Sequence, residues 1–275
     1  MPLDSKRLPV PDESFSPLQF VKETKKETAL VNSEGCRCDG RKPDQVRPMY
    51  LKAGVVSQAK GSAYLEMDQT KIICAVYGPR EVIKREEFSL QGQLYCELKF
   101  ATFSCQQRRQ HQPDSEEHEL SVILRQSLEP AVQLEKFPKA RMDVFVNVLQ
   151  NDGSALAGAI TAASVALADA GVEMYDLVVG CCLTQRGDTC MLDPCGSEEY
   201  SLKAAEKNTN YGNVTVGLMP SLHQVAALLQ TGHMTEEAVA QGMRSCISGC
   251  QRIYPILQET LEKAVDEKSM QDQNG

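Results

Sequence analysis

The chain has 275 residues, of which 42% are hydrophobic, so it can bury the core of one large domain or of two ordinary ones. A formal net charge of -8 excludes a protein that binds nucleic acid over its whole surface, although a local cluster of basic residues could still contact nucleic acid. No stretch approaches ~18 consecutive apolar residues, and the N-terminal part carries proline and charge where a signal peptide needs an apolar run. We therefore expect an intracellular protein with no membrane partner.

The chain contains 11 cysteines, and none of them forms a C-x-x-C pair. Disulfides are disfavoured because the count is odd and a chain of this length folds without them. A zinc site is also disfavoured, since no pair of histidines at ligand spacing accompanies the cysteines. We expect reduced, buried thiols and neither a metal nor a cofactor.

Residues 1–37 are predicted to form a flexible N-terminal tail, because they are rich in proline and polar residues and lack apolar periodicity. Residues 263–275 are predicted to form a flexible C-terminal tail. Between the tails, β-type runs come first, at 47–52, 62–67, 71–78 and 93–101, and the middle two predict a hairpin about Asp68. A helix from about Glu116, interrupted near Pro130, and a strand over 141–149 complete this block.

The segment Ser154–Ala170 is dominated by alanine and a few larger apolar residues. A helix so apolar, with such small side chains, is buried by close backbone packing and does not lie on a surface. A second block repeats the types of element. It has predicted strands near 176–185, 188–193, 213–219 and 224–230, a short helix near 197–206 and a long helix from Glu236 to Lys263. The order of elements predicts an α+β protein made of two similar halves.

The loop before the alanine-rich helix contains Asp152, Gly153 and Ser154, and it leads from a strand into the unpaired N–H groups of a helix. Such a loop can hold an anion. Asp152 or Ser154 can equally accept a hydrogen bond from the first turn as a cap, and Gly153 allows the tight bend. The cap is the favoured interpretation because no lysine or arginine lies beside the loop.

Two other sets of residues give weak signals. Asp193, followed by Glu198 and Glu199, could supply oxygen ligands to a cation such as Mg²⁺, but acidic residues that open a helix are commoner. The four histidines show no arrangement about a serine or cysteine nucleophile. These residues alone therefore define a two-lobed α+β protein and no reaction.

Four segments read together go further than any single motif. They are CDGRKPDQVRPMYLKAGVVSQAKGSAYLEMDQTKIICAVYGPRE, LEPAVQLEKFPKARMDVFVNVLQNDG, ITAASVALADAGVEMYDLVVG and VGLMPSLHQVAALLQTGHMT. In order and spacing, they resemble the RNase PH family and, within it, the RNase PH-like ring subunits of the RNA exosome. The resemblance implies two β-α-β lobes of the ribosomal protein S5 domain 2-like type, which we assign to residues 38–171 and 172–262.

Catalytic members of this family are phosphorolytic: inorganic phosphate attacks the 3'-terminal phosphodiester, and arginine side chains hold that phosphate. The family pattern D-x-G-[ST]-R places a hydroxyl at the position of Ala155 and an arginine at that of Leu156. A second phosphate-binding arginine corresponds to Glu116, which has the opposite charge. The acidic pair of the family corresponds to Asp193 and Glu199. The resemblance thus implies a degenerate phosphate site beside a degenerate metal and acid site.

The resemblance also implies RNA contacts by Lys99, Arg108 and Arg109, which lie around a Phe-Ser pair that the family has beside its RNA path. It implies a non-catalytic subunit of a hetero-hexameric ring of related chains, with RNA and S1/KH-type cap subunits as partners, in the nucleus, nucleolus and cytoplasm. One alternative is an active phosphate-dependent 3'-to-5' exoribonuclease. Another is a free-standing RNA-binding protein outside any complex.

Overall fold

The computed structural model describes residues 36–82, 91–106, 108–187, 189–201 and 210–274. These residues form an α+β fold with two β-sheets, as predicted. Residues 1–35 of the predicted N-terminal tail lie outside the described residues. Arg37, which we had also assigned to that tail, is fully buried, so the prediction was wrong for this residue.

The first sheet has five strands, which are β1 (Met49–Ala53), β2 (Gly61–Met67), β3 (Thr70–Glu81), β4 (Gln93–Phe100) and β5 (Ala140–Gln150). Buried positions alternate with more exposed ones over most of β4 and in the second half of β5. The strand order is β1-β2-β3-β5-β4. β2 and β3 form the predicted hairpin, and its turn holds Asp68 at a φ of 53°. β4 and β5 are parallel, which requires a crossover helix between them.

That crossover helix is α1 (Ser115–Leu128), which begins with a capping box at Asp114. The Asp114 carboxylate accepts a hydrogen bond from Ser115 N at 2.7 Å, and the Glu117 side chain accepts one from Asp114 N at 3.4 Å. The helix ends at Leu128 because Pro130, in the following 3-10 turn, has no N–H to continue it. The predicted interruption near Pro130 is confirmed.

The alanine-rich segment forms α2 (Ala155–Asp169), in which twelve residues are buried. A Cβ added to Gly61 of β2 would lie 2.2 Å from Ala170 N, and one added to Gly180 would lie 2.3 Å from Ala157 O. Real Cβ atoms do not approach backbone so closely, so α2 contacts backbone on both sides through glycine. The predicted burial by close backbone packing is confirmed.

Gly180 belongs to the second sheet, which is antiparallel throughout. Its strands are β6 (Val179–Arg186), β7 (Thr189–Leu192), β8 (Tyr211–Met219) and β9 (Gln224–His233). Their order is β7-β6-β8-β9. The short helix α3 (Gly196–Ser201) follows β7, and residues 202–206 of the predicted helix lie outside the described residues.

The last helix, α4 (Glu236–Asn274), covers the face of the second sheet opposite α2. A Cβ added to Gly249 of α4 would lie 2.8 Å from Cys181 Sγ, whereas Gly180, the residue before Cys181 in β6, contacts α2. Successive residues of a strand point to opposite faces, so the two helices sandwich this sheet. Lys268 Nζ donates to Asp169 Oδ1 at 2.6 Å. The predicted start of a tail at residue 263 was wrong, because α4 runs through it to Asn274.

Six cysteine side chains are buried in these layers, as predicted: Cys74, Cys96, Cys181, Cys182, Cys246 and Cys250. Within the described ranges, the two sheets share one hydrophobic core, to which α2 contributes from its whole length. No helix there combines the length and the apolar composition needed to cross a bilayer.

Candidate functional site

The loop between β5 and α2 lies against the segment that follows β7. Gly153 has a φ of 85° and Ser154 a φ of 55°, so the chain passes through the left-handed region for two residues. A Cβ on Gly153 would lie 2.5 Å from Pro194 O, and the Ser154 hydroxyl donates to that same oxygen at 3.2 Å. Glycine is therefore required here both by the backbone angle and by the close approach of Pro194.

The predicted side-chain cap of α2 is wrong. Ser154 is the N-cap residue, but its side chain accepts no hydrogen bond from the first turn. Asp152 Oδ1 instead accepts a hydrogen bond from Gly196 N at 3.1 Å. The reason is that the loop is pressed against residues 194–196, which directs the Asp152 carboxylate to the start of α3 rather than to α2.

A carboxylate from α3 lies at the start of α2 in place of a cap. Glu199 Oε2 accepts a hydrogen bond from Ser154 N at 3.3 Å. Ser154 N belongs to the backbone that leads into α2, where unpaired N–H groups favour an anion. The chain therefore places its own negative charge at the loop to which the resemblance assigns a phosphate site.

The two positions that begin α2 carry apolar side chains. Leu156 is 8% exposed and belongs to the shared hydrophobic core, and Ala155 is partly buried against it. Neither side chain has a group that could donate a hydrogen bond to an oxyanion.

Asp193 is bound to Arg47 in a buried ion pair. Arg47 Nη2 lies 2.8 Å from Asp193 Oδ1, and Arg47 Nε and N lie 3.0 and 2.9 Å from Oδ2. Arg41 Nη1 approaches Oδ2 to 3.6 Å. Burial raises the pKa of Asp193, but the hydrogen bonds and charges of these arginines outweigh burial and hold that pKa below its ordinary value. Asp193 therefore stays ionised and has both oxygens engaged.

Arg47 also joins the Asp193 segment to the loop before α2. Its Nη1 donates to Asp152 O at 2.8 Å, and its Nη2 donates to Gly153 O at 3.2 Å. Thr70 supports the same turn, since its hydroxyl donates to Gly153 O at 3.0 Å. Arg47 and Thr70 thus fix the backbone of the loop. While they donate to Asp152 O and Gly153 O in this way, the same donors cannot bind an anion.

A second buried ion pair joins Arg37 to Glu198, next to the first. Arg37 Nε donates to Glu198 Oε1 at 2.9 Å, and its Nη2 contacts Oε2. The remaining donors bind main-chain oxygens, with Nη1 at 2.6 Å from Leu192 O and Nη2 at 3.0 Å from Asp193 O. Burial raises the pKa of Glu198, but the bond and charge of Arg37 hold it below its ordinary value. Both acidic side chains act as structural counter-ions.

Asp193 and Glu199, the predicted metal and acid site, are both engaged in these contacts. Among the residues that the structure describes, no group of three or more histidine, cysteine, aspartate or glutamate side chains is arranged to hold a metal ion. Arg37 and Arg47 were missed by sequence reasoning, and Glu198 was considered only as a cation ligand. Their partners lie more than a hundred positions away, so no local pattern could have indicated them.

Glu116, at the second degenerate phosphate position, binds Arg109. Arg109 Nη2 lies 3.0 Å from Glu116 Oε2, Arg109 Nε lies 3.2 Å from Cys105 Sγ, and its guanidinium stands 4.2 Å from the centre of the Phe100 ring. Arg109 was predicted to contact RNA, but its charge is offset by Glu116. The two positions are therefore better described as one ion pair.

The other two residues predicted to contact RNA, Lys99 and Arg108, have exposed side chains. Lys99 lies on the outer face of β4, because the next residue, Phe100, is buried on the inner face. Phe103 is 69% exposed and lines an open groove of about 630 Å³ with Lys71, Ser104 and Asp152. The structure does not bring Lys99 and Arg109 into contact with one another.

Comparison with known proteins places this fold and site in a family. The RNase PH family (3' exoribonuclease family, domain 1) matches residues 45–173. Exosome complex component MTR3 of Homo sapiens is 41% identical over 96% of both chains. Exosome complex component Rrp41 of Cenarchaeum symbiosum is 36% identical over 86% of this chain and 94% of that protein. The chain belongs to the RNase PH family, as the resemblance implied.

A solved structure shares the fold. The crystal structure of rice (Oryza sativa) Rrp46 superposes with a TM-score of 0.68 at 26% identity, and the match covers 82% of this chain and all of that one. The predicted RNase PH-like architecture is therefore confirmed. Within this family, the chain is similar to MTR3 over nearly its full length.

Proposed function

We propose that this chain is a non-catalytic, RNase PH-like subunit of the core ring of an RNA exosome. There it serves as a scaffold and as part of the RNA path in 3'-to-5' RNA processing and degradation, including rRNA maturation and mRNA decay. Its proposed partners are other RNase PH-like chains in a hetero-hexameric ring, S1/KH-type cap subunits and RNA. Similarity to MTR3 and Rrp41, both exosome complex components by name, supports this assignment. Its proposed locations are the nucleus, nucleolus and cytoplasm.

The observation that carries the non-catalytic assignment is that neither position to which the resemblance assigns a phosphate-binding arginine carries one: Leu156 is buried in the core, and Glu116 is paired with Arg109. A phosphate oxygen brought to Ser154 N would also stand beside the Glu199 carboxylate. Two unit charges about 4 Å apart repel by roughly 1 kcal/mol in water and by about 4 kcal/mol near a protein surface. An active site would need arginines to offset this repulsion, and Leu156 and Glu116 stand at the positions that the resemblance assigns to them.

The acidic residues support the same assignment. A general acid must carry a proton at neutral pH, and Asp193 is held ionised by Arg47. A cation at Asp193 would have to share carboxylate oxygens that already accept hydrogen bonds from Arg47, and it would stand beside the positive charge of that guanidinium. Glu198 is likewise bound to Arg37. We therefore propose no catalytic residue and no cofactor for this chain.

The proposed RNA contacts are non-specific and fall chiefly on Lys99 and Arg108. Both side chains are exposed, and neither forms an ion pair with another described residue, so each can approach a phosphate without first breaking one. Arg109 would have to leave Glu116 before it could do so. A chain with a net charge of -8 needs such local positive sites if it contributes to an RNA path.

The alternative is an active phosphorolytic exoribonuclease. The feature that favours it is the retained turn at Gly153 and Ser154, together with 36% identity to an archaeal Rrp41. A free-standing RNA-binding protein has less in its favour, because relatives that match most of the chain are named as components of a complex.

The deciding experiment incubates the purified chain, and its complex purified from cells, with end-labelled RNA, Mg²⁺ and inorganic phosphate. We expect the isolated chain to release no nucleoside diphosphate, while an active RNase PH enzyme assayed in parallel releases it. Phosphate-dependent release by the isolated chain would overturn the non-catalytic assignment. Mass spectrometry of the purified complex tests the ring separately, since recovery without any other RNase PH-like chain would contradict it.

A further inference from the structure

The outer face of the first sheet lies on the side away from α2. A Cβ added to Gly158 of α2 would lie 2.8 Å from the Ile72 side chain and 3.1 Å from that of Leu65, so these residues mark the inner face. Successive residues of a strand point to opposite faces, and directly paired residues point to the same face. The register therefore places four rows across β3, β5 and β4 on the outer face: Arg80, Arg141 and Gln93; Tyr77, Asp143 and Tyr95; Ala75, Phe145 and Glu97; Ile73, Asn147 and Lys99.

Three aromatic rings lie side by side on this face, one from each strand. The centre of the Phe145 ring lies 5.9 Å from that of Tyr77 and 6.3 Å from that of Tyr95, with an edge-to-face arrangement in both pairs. Tyr95 is 42% exposed and Phe145 is 37% exposed, while Tyr77 is partly buried beside them. A contiguous exposed aromatic surface of this kind marks an interaction site.

Two arginines flank the rings at one end of the face. The Arg80 guanidinium lies 5.5 Å from the centre of the Tyr77 ring, and that of Arg141 lies 5.2 Å from the centre of the Tyr95 ring. Asp143 lies beneath both arginines, since Arg141 Nε donates to its Oδ1 at 2.7 Å and Arg80 Nη1 lies 3.8 Å from its Oδ2. The Asp143 side chain is 2% exposed, whereas those of Arg80 and Arg141 are 62% and 44% exposed. The positive charges therefore face outward and the carboxylate does not.

Lys99 adds a third exposed positive charge at the other end of the face. It lies level with Asn147, which is separated from Arg141 along β5 by roughly 20 Å at ~3.3 Å per residue. The rings of Tyr95 and Phe145 stand between the two charged ends. The four rows hold three cations and two carboxylates, in a chain whose formal net charge is -8.

Single-stranded RNA fits this pattern better than a protein segment does. Its phosphates bind exposed arginine and lysine, and its bases stack on exposed aromatic rings or on guanidinium planes. An apolar polypeptide would cover the exposed guanidiniums of Arg80 and Arg141 without pairing them, which is costly. β3 and β5 are internal strands, so neither offers a free edge to which an extended polypeptide could add.

We propose that the outer face of the first sheet binds single-stranded RNA by stacking bases on Tyr95 and Phe145, while Arg80, Arg141 and Lys99 hold phosphates on either side. This inference rests on the proposed function, because its ligand is the RNA of the proposed path. It adds a contact with the bases to the phosphate contact proposed for Lys99. RNA of any sequence can make that contact, since every base has a flat aromatic face.

The first test measures binding of the purified full chain to two fluorescent oligonucleotides of equal length, an oligouridylate and a strand that lacks all its bases. Tyr95→Leu removes one ring and keeps an apolar side chain, and Tyr175→Leu removes an exposed ring elsewhere. We expect Tyr95→Leu to weaken binding of the oligouridylate about fivefold or more and to leave binding of the abasic strand unchanged. Tyr175→Leu should bind both strands as wild type does.

A third variant separates phosphate contacts from stacking. Arg80→Gln should weaken binding of both strands alike, because it removes a phosphate contact and leaves Asp143 paired with Arg141. The inference would be overturned by an equal loss on both strands in Tyr95→Leu, by the same loss in Tyr175→Leu, by no loss, or by wild type that binds no oligouridylate. Thermal unfolding of each variant reports whether it folds.

The second test needs no substitution. Hydroxyl-radical labelling with mass spectrometry compares Tyr95, Phe145 and Tyr175 in the isolated chain, in the nuclease-treated complex purified from cells, and in that complex with oligouridylate. We expect oxidation of Tyr95 and Phe145 to fall several-fold only when the oligonucleotide is added, and oxidation of Tyr175 not to respond to it. Protection on assembly without RNA would identify a protein interface and overturn the inference, as would no protection in any state. Absence of any related chain from the wild-type complex would contradict the proposed function itself.

Discussion

Arg47 and Asp193 face one another with both carboxylate oxygens bound by one guanidinium, at 2.8 and 3.0 Å. The two side chains are only 2% and 5% exposed. We predict that Arg47→Met lowers the free energy of unfolding by about 3–5 kcal/mol, because it leaves a buried carboxylate without its counter-charge. Urea denaturation followed by circular dichroism measures the change.

The matched control for Arg47→Met is Lys263→Met, which removes an exposed ion pair with Glu259 on α4. Exposed pairs contribute little to stability, so the control is expected to unfold like wild type. If Arg47→Met is no less stable than this control, the Arg47–Asp193 pair does not hold the loop as described.

The same pair predicts a pH dependence. Burial raises the pKa of Asp193, but Arg47 outweighs it, and the pKa in the folded state lies below the ordinary value of 3.8. A lowered folded pKa contributes stability that is present above the unfolded pKa and is lost as pH falls through the folded pKa. The stability difference between wild type and Asp193→Asn should therefore be largest above about pH 5 and should shrink below about pH 4. Urea denaturation from pH 7 to pH 2.5 checks it, and a constant difference would contradict it.

Two glycines opposite one another in the second sheet give a matched pair of packing tests. Gly180 pairs with Gly217 across β6 and β8. A methyl on Gly180 would lie 2.3 Å from Ala157 O, whereas one on Gly217 would meet atoms no closer than 3.6 Å. We predict that Gly180→Ala lowers the free energy of unfolding by about 1–3 kcal/mol or more, and that Gly217→Ala changes it by less than about 1 kcal/mol. Similar losses in both variants would show that α2 packs less closely than the distances state.

The Glu199 carboxylate predicts how the chain responds to phosphate. Replacement by Gln keeps the shape and removes the charge beside Ser154 N. If that charge costs an arriving oxyanion about 1 kcal/mol, Glu199→Gln should lower the half-saturating phosphate concentration about fivefold. Phosphate titration followed by amide NMR of Ser154 measures it. Glu262→Gln on the exposed part of α4 removes the same charge elsewhere, and an equal response to that change would reject a local effect.

The predicted RNA residues separate into two groups by their contacts. Lys99→Glu and Arg108→Glu should each weaken RNA protection by the assembled complex several-fold, and the loss should diminish at high salt. Arg109→Glu would place two carboxylates together at Glu116 and should lower the thermal stability of the chain. Nuclease protection and thermal unfolding distinguish the two effects. Wild-type protection with Lys99→Glu and Arg108→Glu combined would leave both as ordinary surface residues.

The parts of the fold that sequence predicted are those set by local pattern. The hairpin at Asp68, the end of α1 before Pro130 and the burial of α2 each follow from residues close together in the chain. The resemblance to the family implies, in addition, that Leu156 and Glu116 stand where phosphate-binding groups would lie, and this stays a prediction.

The arrangement of the site could not be predicted in the same way, because its contacts join distant segments. Arg37 and Glu198 lie 161 positions apart, and Arg47 and Asp193 lie 146 apart. The cap of α2 was predicted wrongly for the same reason, since Asp152 is bound by Gly196 N, 44 positions away. Sequence offered each of these side chains a role close to its own position, but in the structure each binds a residue from a distant segment.

α2 lies between the backbones of Gly61 and Gly180, and these two residues belong to opposite sheets. A boundary at residue 171 divides the sequence into two lobes, but it leaves α2 with the first lobe and exposes the face of the second sheet that α2 covers. Neither lobe, expressed alone, could cover the apolar surface that the other covers in the whole chain. The duplication visible in the order of elements therefore does not yield two folding units, and the whole chain should unfold in one cooperative transition.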